Sequence, residues 1–330
     1  MLIYDMYHTH WKPLTPGWSK PDPKCLIDFP IVAPNTLIGL EIEAENFSGF
    51  PVVPEVKNHI ETVWHEKAEG SLRHRGIEFV TGAIQGAQIG DALTLLHLMN
   101  NSGNLIYNDL TGLHVHLNIR PWSVDQIVNL VLLYILFEDS LFRISGKRQN
   151  SIYCLPARTS WSGLPDLINT GNLKASVLLS NKYMGFNYAA IKKYGTVEFR
   201  HSQGNKEISY ILHWINTLLR LHSAAELWNT LELKDTIFKL NTNSEYFMFA
   251  KDTFKEEIDW LDCSGLKNEM REGVAVLKEW QINSHMTSKK ILDQTRKPKI
   301  KKSPVLVVEP PIAFNLLFPE NNKAPMFVRR

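Results

Sequence analysis

The chain has 330 residues, 44% of them apolar and 21% charged, proportions of a globular protein able to bury a large core. With 36 Lys and Arg against 34 Asp and Glu, the formal net charge is +2, which by itself does not mark a nucleic-acid-binding protein. Cys25, Cys154 and Cys263 lie far apart without a Cys-x-x-Cys pair, so neither a disulfide framework nor a zinc cluster is supported, and a reducing, cytoplasmic setting fits best.

Residues 1–35 are rich in Pro, Trp and His, show no period and read as an irregular leader. Their start, Met-Leu-Ile-Tyr-Asp-Met-Tyr-His, lacks a basic stretch followed by an apolar one, so no signal peptide is expected. A first strand is predicted over 36–45. A loop with Pro51 and Pro54 then leads to a strand at Ile60–His65, a turn at Glu69-Gly70-Ser71 and a strand at 76–81. Residues 87–101 carry apolar side chains at helical spacing and stop at Gly103, a C-cap candidate. The segment 112–118 is a further strand.

The clearest helix follows, with Ser123 as N-cap, Gln126 as its capping-box partner and Gly146 just past its end. Its most apolar run, Ile127–Phe137, is interrupted by Asn129 and followed by Glu138 and Asp139, too short to span a bilayer. A strand at 195–202 and a helix at 206–228 come next, then helices at Ser244–Leu261 and Leu266–Trp280. Residues 289–302 hold seven Lys or Arg against Asp293 alone, and 303–325 are Pro-rich, the composition of an arm or linker. Strands and helices in mixed order, without βαβ alternation, predict an α+β fold on a largely antiparallel sheet.

Four of these segments put chemistry on one strand face. Residues two apart share a face, which pairs Glu41 with Glu43, His114 with His116, and Glu198 with Arg200, and leaves Glu78 among apolar neighbours. Carboxylates and imidazoles are metal ligands, and a guanidinium is a planar clamp for phosphate. Each piece also has a plainer reading: a wet edge strand that includes Glu45, a structural histidine, a surface ion pair, or, for Glu69, an ordinary acid in a turn. No Gly-x-x-x-x-Gly-Lys-Ser/Thr loop is present, which excludes a P-loop enzyme.

Taken in order, the pieces Gly-Leu-Glu-Ile-Glu, Glu-Gly-Ser with Gly-Ile-Glu-Phe-Val-Thr, Gly-Leu-His-Val-His-Leu-Asn, Lys-Arg-Gln-Asn-Ser-Ile-Tyr-Cys and Asn-Tyr-Ala-Ala-Ile…Tyr-Gly-Thr-Val-Glu-Phe-Arg-His resemble the amidoligase family. That family is a branch of the carboxylate–amine ligases that include glutamine synthetase and glutamate–cysteine ligase. The resemblance runs from about residue 36 to about residue 225. It implies a catalytic domain over 36–228 on a curved antiparallel sheet with helices on the outer face; outside the resemblance, the sequence itself reads as a helical extension at 229–286 and an arm at 287–330. It further implies ATP, two Mg²⁺ or Mn²⁺ ions, and a carboxylate and an amine as substrates, a peptide or protein side chain among the candidates. By matching motif, Glu43, Glu69 and Glu78 would hold one metal and Glu41, His114 and Glu198 the other. His116 and Arg200 would face the phosphates, with Arg148 near phosphate or substrate. Position 69 is Glu where the family often shows Asp. The base that deprotonates the amine is left open between Glu45 and an unplaced acid. Two alternatives stand beside the ligase: a catalytically idle metal- and nucleotide-binding or assembly module, and a metal-dependent phosphotransferase or hydrolase. No membrane contact is expected, the basic tail is the one segment suited to nucleic acid, and oligomerisation is open.

Overall fold

The computed structural model describes residues 1–12, 30–49, 54–102, 104–146, 148–160, 163–261 and 263–295. Gly103, Cys25 and the segment 296–330, with most of the basic and Pro-rich arm, lie outside them. Residues Met1–Ser288 form one compact unit and Lys289–Arg330 another.

In chain order the elements are α1 (Ile3–Tyr7), β1 (Ile38–Ala44), α2 (Pro54–Val63), β2 (Trp64–Ala68), β3 (Ile77–Thr81), α3 (Ala87–Ser102), β4 (Gly112–Asn118) and α4 (Val124–Ile144). There follow α5 (Leu164–Thr170), α6 (Leu173–Leu178), β5 (Phe186–Asn187), α7 (Ala190–Tyr194), β6 (Thr196–Gln203), α8 (Ile208–Leu227), α9 (Thr230–Lys239), α10 (Asn243–Phe254) and α11 (Leu266–Thr295). The strands build one antiparallel sheet in the order β2-β3-β1-β4-β6-β5, with helices packed against it, an α+β fold. The strand alternation decides which face the helices cover: Leu40, Ile42, Phe79, Leu113, Val115, Leu117, Val197 and Phe199 are all buried, together with most of α4 and α8. Burial of one apolar face at this scale is the main force holding the sheet in place. Among the described residues, no helix is long and apolar enough to cross a membrane.

The α4 start forms as its sequence predicts. The Ser123 hydroxyl accepts from Gln126 N at 3.3 Å, and the Gln126 side chain accepts from Ser123 N at 2.8 Å. Two expectations are corrected. Residues 60–63 are the last turn of α2, and the strand begins only at Trp64. Pro54 sits in the first helical turn, where its missing N–H costs nothing, and Ile60 and Val63, three apart, share the buried stripe. The leader is not irregular at its start: Ile3, Met6 and Tyr7 are buried at helical spacing, and Ile3 N donates to Trp122 O at 2.8 Å. A five-residue helix is too short to show a period in the sequence.

Candidate active site

The face opposite the helices collects the acids, imidazoles and guanidinium of the four motifs. β1 lies between β3 and β4, and the register sets Glu41 across from His114, Glu43 across from Glu78, and His116 on β4 across from Glu198 on β6. Around His114 the register shifts: Leu113 pairs with Ser202 but Val115 with Phe199, so β6 carries one extra residue opposite His114.

These side chains converge. Glu41, His116 and Glu198 bring ligand atoms within 4.8 Å of one another, as do Glu41, Glu78 and His114, and Glu43, Glu69 and Glu78. The three sets are chained together through Glu41 and Glu78. All six expected metal ligands and His116 therefore line one connected cluster. The all-carboxylate trio offers hard oxygen donors of the type that Mg²⁺ and Mn²⁺ take, and the imidazole-bearing sets suit Mn²⁺ better than Mg²⁺. The expected trio Glu41, His114 and Glu198 is not itself one of these sets: His116 joins Glu41 and Glu198, while His114 Nδ1 lies 3.3 Å from Glu41 Oε2 and 3.5 Å from Glu198 Oε1. Two buried imidazole nitrogens, His114 Nε2 and His116 Nε2, make no hydrogen bond among the described residues. They stand 3.8 Å from Glu43 Oε1 and 3.5 Å from Glu41 Oε1. His116 Nδ1 meets Thr196 Oγ1 at 3.0 Å, an outer contact that fixes the ring and leaves Nε2 aimed at the carboxylates. Unbonded nitrogens facing carboxylate oxygens are a donor set that fits a cation.

The electrostatics follow from crowding. Burial raises the Glu78 carboxyl, and the neighbouring Glu41 charge adds to it, pushing it up to about 7 despite Lys67. Burial also opposes ionisation of Glu41, but the hydrogen bond from His114 and the charge of the neighbouring imidazoles His116 and His114 outweigh it and hold Glu41 well below the carboxylate range. For Glu198, His116 and Arg200 likewise overcome burial and lower it. His116 is raised in turn: desolvation alone would lower it, and Glu198 and Glu41 prevail.

Neighbouring groups hold the cluster in place. Glu43 accepts from Gly112 N at 2.6 Å. Glu198 accepts from Asn187 Nδ2 at 2.6 Å and from Arg200. Glu69 accepts from Ser71 N at 2.9 Å, so the turn presents it. Arg148 is 2% exposed and donates to Ser202 O at 3.3 Å, its Nε without a partner, and it packs over Gly112 beside His114. Glu45 turns elsewhere: its two oxygens accept from Arg73 N and Asn108 Nδ2, both at 2.8 Å, so it braces two loops and is no candidate base.

Sequence reading missed Lys67, whose ammonium lies 3.3 Å from Glu78 and 4.0 Å from Glu41. Placing the strand at 60–65 ended it before Lys67, whereas the observed register sets Lys67 opposite Glu78. Asn187 was also missed, although it stands inside one of the resembling motifs.

A cleft of about 330 Å³ opens beside Glu41 and His116, between the ends of β1, β3 and β4. With this geometry in place, comparison with known proteins adds one finding. Residues 39–162 match the model of a family described as "putative amidoligase enzyme". The match supports the amidoligase family, a class of ligase that joins a carboxylate and an amine. It carries Glu41, Glu43, Glu69, Glu78, His114, His116 and Arg148, while Glu198 and Arg200 reach the same cluster from β6, beyond the matched stretch. No curated protein matches the chain.

Proposed function

We propose that this protein is an ATP-dependent carboxylate–amine ligase of the cytoplasm that forms an amide through an acyl phosphate. The observation that carries this reading is the chain of three ligand sets on one sheet face, flanked by Arg200 and Arg148, in a chain whose family match is to amidoligases. Two divalent cations, one at Glu43, Glu69 and Glu78 and one at Glu41, His114 and Glu198, would neutralise charge on the transferring phosphoryl group.

A carboxylate is a poor acyl donor because its leaving group would be oxide. Attack of its oxygen on the γ-phosphorus forms the acyl phosphate and releases ADP. An amine then attacks the carbonyl carbon, and phosphate leaves with the C–O bond electrons. Arg200 spends one arm of its fork on Glu198 and a weaker Nε contact, at 3.4 Å, on Tyr153 O, so it meets the phosphates as a fixed charge. His116, raised by its acidic neighbours Glu198 and Glu41, stands at the same place. Arg148 packs over Gly112 beside His114.

The test is ADP release with Mg²⁺ or Mn²⁺ across pairs of carboxylates and amines, omitting each partner in turn. Hydroxylamine added in place of the amine should trap the activated acid as a hydroxamate. ATP consumption that needs no amine and gives no hydroxamate would reassign the site to a phosphotransferase or hydrolase.

A further inference from the structure

The N-terminal segment, which lies outside the family match, reaches the cleft beside the acidic cluster. Lys12 and Arg120 line that cleft together with Tyr194 and the apolar Leu37 and Val80. The placement of Lys12 is built rather than incidental. Lys12 N donates to Lys193 O at 3.2 Å, and Arg120 Nη2 donates to Lys12 O at 2.7 Å, so both sides of its peptide are held. Its neighbour Trp11 donates through Nε1 to Ile191 O at 2.8 Å and lies with its ring 5.0 Å under the Arg120 guanidinium. Arg120 also donates twice to Tyr194 O, at 3.1 and 2.9 Å. Gly195 makes this junction feasible: its φ is +68°, and a Cβ there would stand 2.5 Å from Arg120 Cγ and 2.9 Å from Trp11 Cε2.

The cations of the cleft are therefore not equivalent. Lys67 is occupied by Glu78 and Glu41, and the Arg120 guanidinium donates to the backbone carbonyls of Lys12 and Tyr194. The Lys12 ammonium has no hydrogen-bond or ion-pair partner among the described residues, though its backbone is fixed on both sides. The same cleft is lined by Glu41 and His116, the edge of the acidic cluster. A ligand with an apolar, planar part and an anionic chain matches a cleft lined by Leu37 and Val80 and by the cations Lys12 and Arg120, next to the cluster.

Resting on the ligase reading above, we infer that Lys12 is a phosphate-binding residue of this cleft, supplied by the N-terminal segment and positioned by the Trp11–Arg120 clamp. The ligand class is a nucleoside polyphosphate. A charge-assisted contact of an ammonium to phosphate is among the stronger polar interactions, and its loss should show in affinity rather than in folding.

The experiment titrates the full chain with ATP and Mg²⁺ by calorimetry, comparing wild type, Lys12→Gln and Lys12→Arg. Lys12→Gln should weaken binding on the order of tenfold and flatten its salt dependence, with an unchanged melting temperature, while Lys12→Arg keeps most of the affinity. Equal affinity in Lys12→Gln and wild type overturns the inference. Should wild type bind no ATP, the ligase reading falls, and inorganic tripolyphosphate becomes the probe for Lys12 alone. Binding that depends on Lys12 would then uphold the phosphate site without the ligase, and its absence, or its indifference to Lys12→Gln, would overturn it.

Discussion

Glu198 shows how a carboxylate in an acidic cluster can still be stabilised in its charged form. Like charges crowded together favour neutralisation, which for an isolated cluster would make Glu198→Gln stabilising without metal. Here Asn187 and Arg200 donate to Glu198, and His116 and Arg200 hold its carboxyl below the usual range despite burial. Glu198→Gln would set an amide against both donors and is expected to cost roughly 1 kcal/mol without metal. Turnover should fall on the order of a hundredfold, the scale for losing one electrostatic stabiliser of a transition state. Thermal melts in a chelator and ADP release with metal, run on wild type and variant together, check the two halves separately.

Glu78 is the opposite case. Its folded-state carboxyl titrates at about 7 against an ordinary 4.5, so between those values the folded chain binds more protons than the unfolded one. The stability this contributes is fully present below 4.5 and is lost as pH rises through about 7. The metal-free protein should therefore lose melting temperature from pH 5 to pH 8, and Glu78→Gln should remove much of that slope. A variant with the full wild-type slope would show that the crowding at Glu78 is relieved in solution.

At the scale of elements, two glycines on neighbouring strands give contrasting outcomes. Gly112 opens β4, where its N–H is spent on Glu43 and an added Cβ would lie 1.8 Å from Arg148 Nη1 and 2.6 Å from His114 Nε2. Gly39 on β1 would place its Cβ 3.5 Å from His116 Cβ, an ordinary contact. Gly112→Ala should destabilise by about 1–3 kcal/mol and abolish activity, because Arg148 is buried and has little room to retreat. Gly39→Ala should fold within about 1 kcal/mol of wild type. Denaturant unfolding of the pair gives the comparison directly. Element placement was legible where a motif is local, as in the capping box at Ser123 and Gln126. It failed at residues 60–63, where a short apolar run fits a strand and a last helical turn equally well and packing against α3 decided.

At the scale of the whole molecule, the acidic cluster and the basic arm belong to different compact units. The run 289–302 has few apolar residues to bury, so a chain ending at Ser288 should bind ATP with Mg²⁺ as the full chain does. Loss of binding in a truncated protein that melts normally would give the arm a direct part in the site.

The sequence by itself determined which polar side chains share a strand face, because parity puts Glu41 with Glu43, His114 with His116 and Glu198 with Arg200 whatever the rest of the chain does. It also marked one apolar face to bury and one polar face to use. Tertiary structure alone decided the strand order, which brings β6 to β4 and so Glu198 to His116 across about eighty positions of sequence. It decided that Lys67 faces Glu78, that Glu45 braces two loops, and that Arg148 packs over Gly112 beside His114. Such pairings depend on register and on long-range packing, which no local pattern of residues encodes.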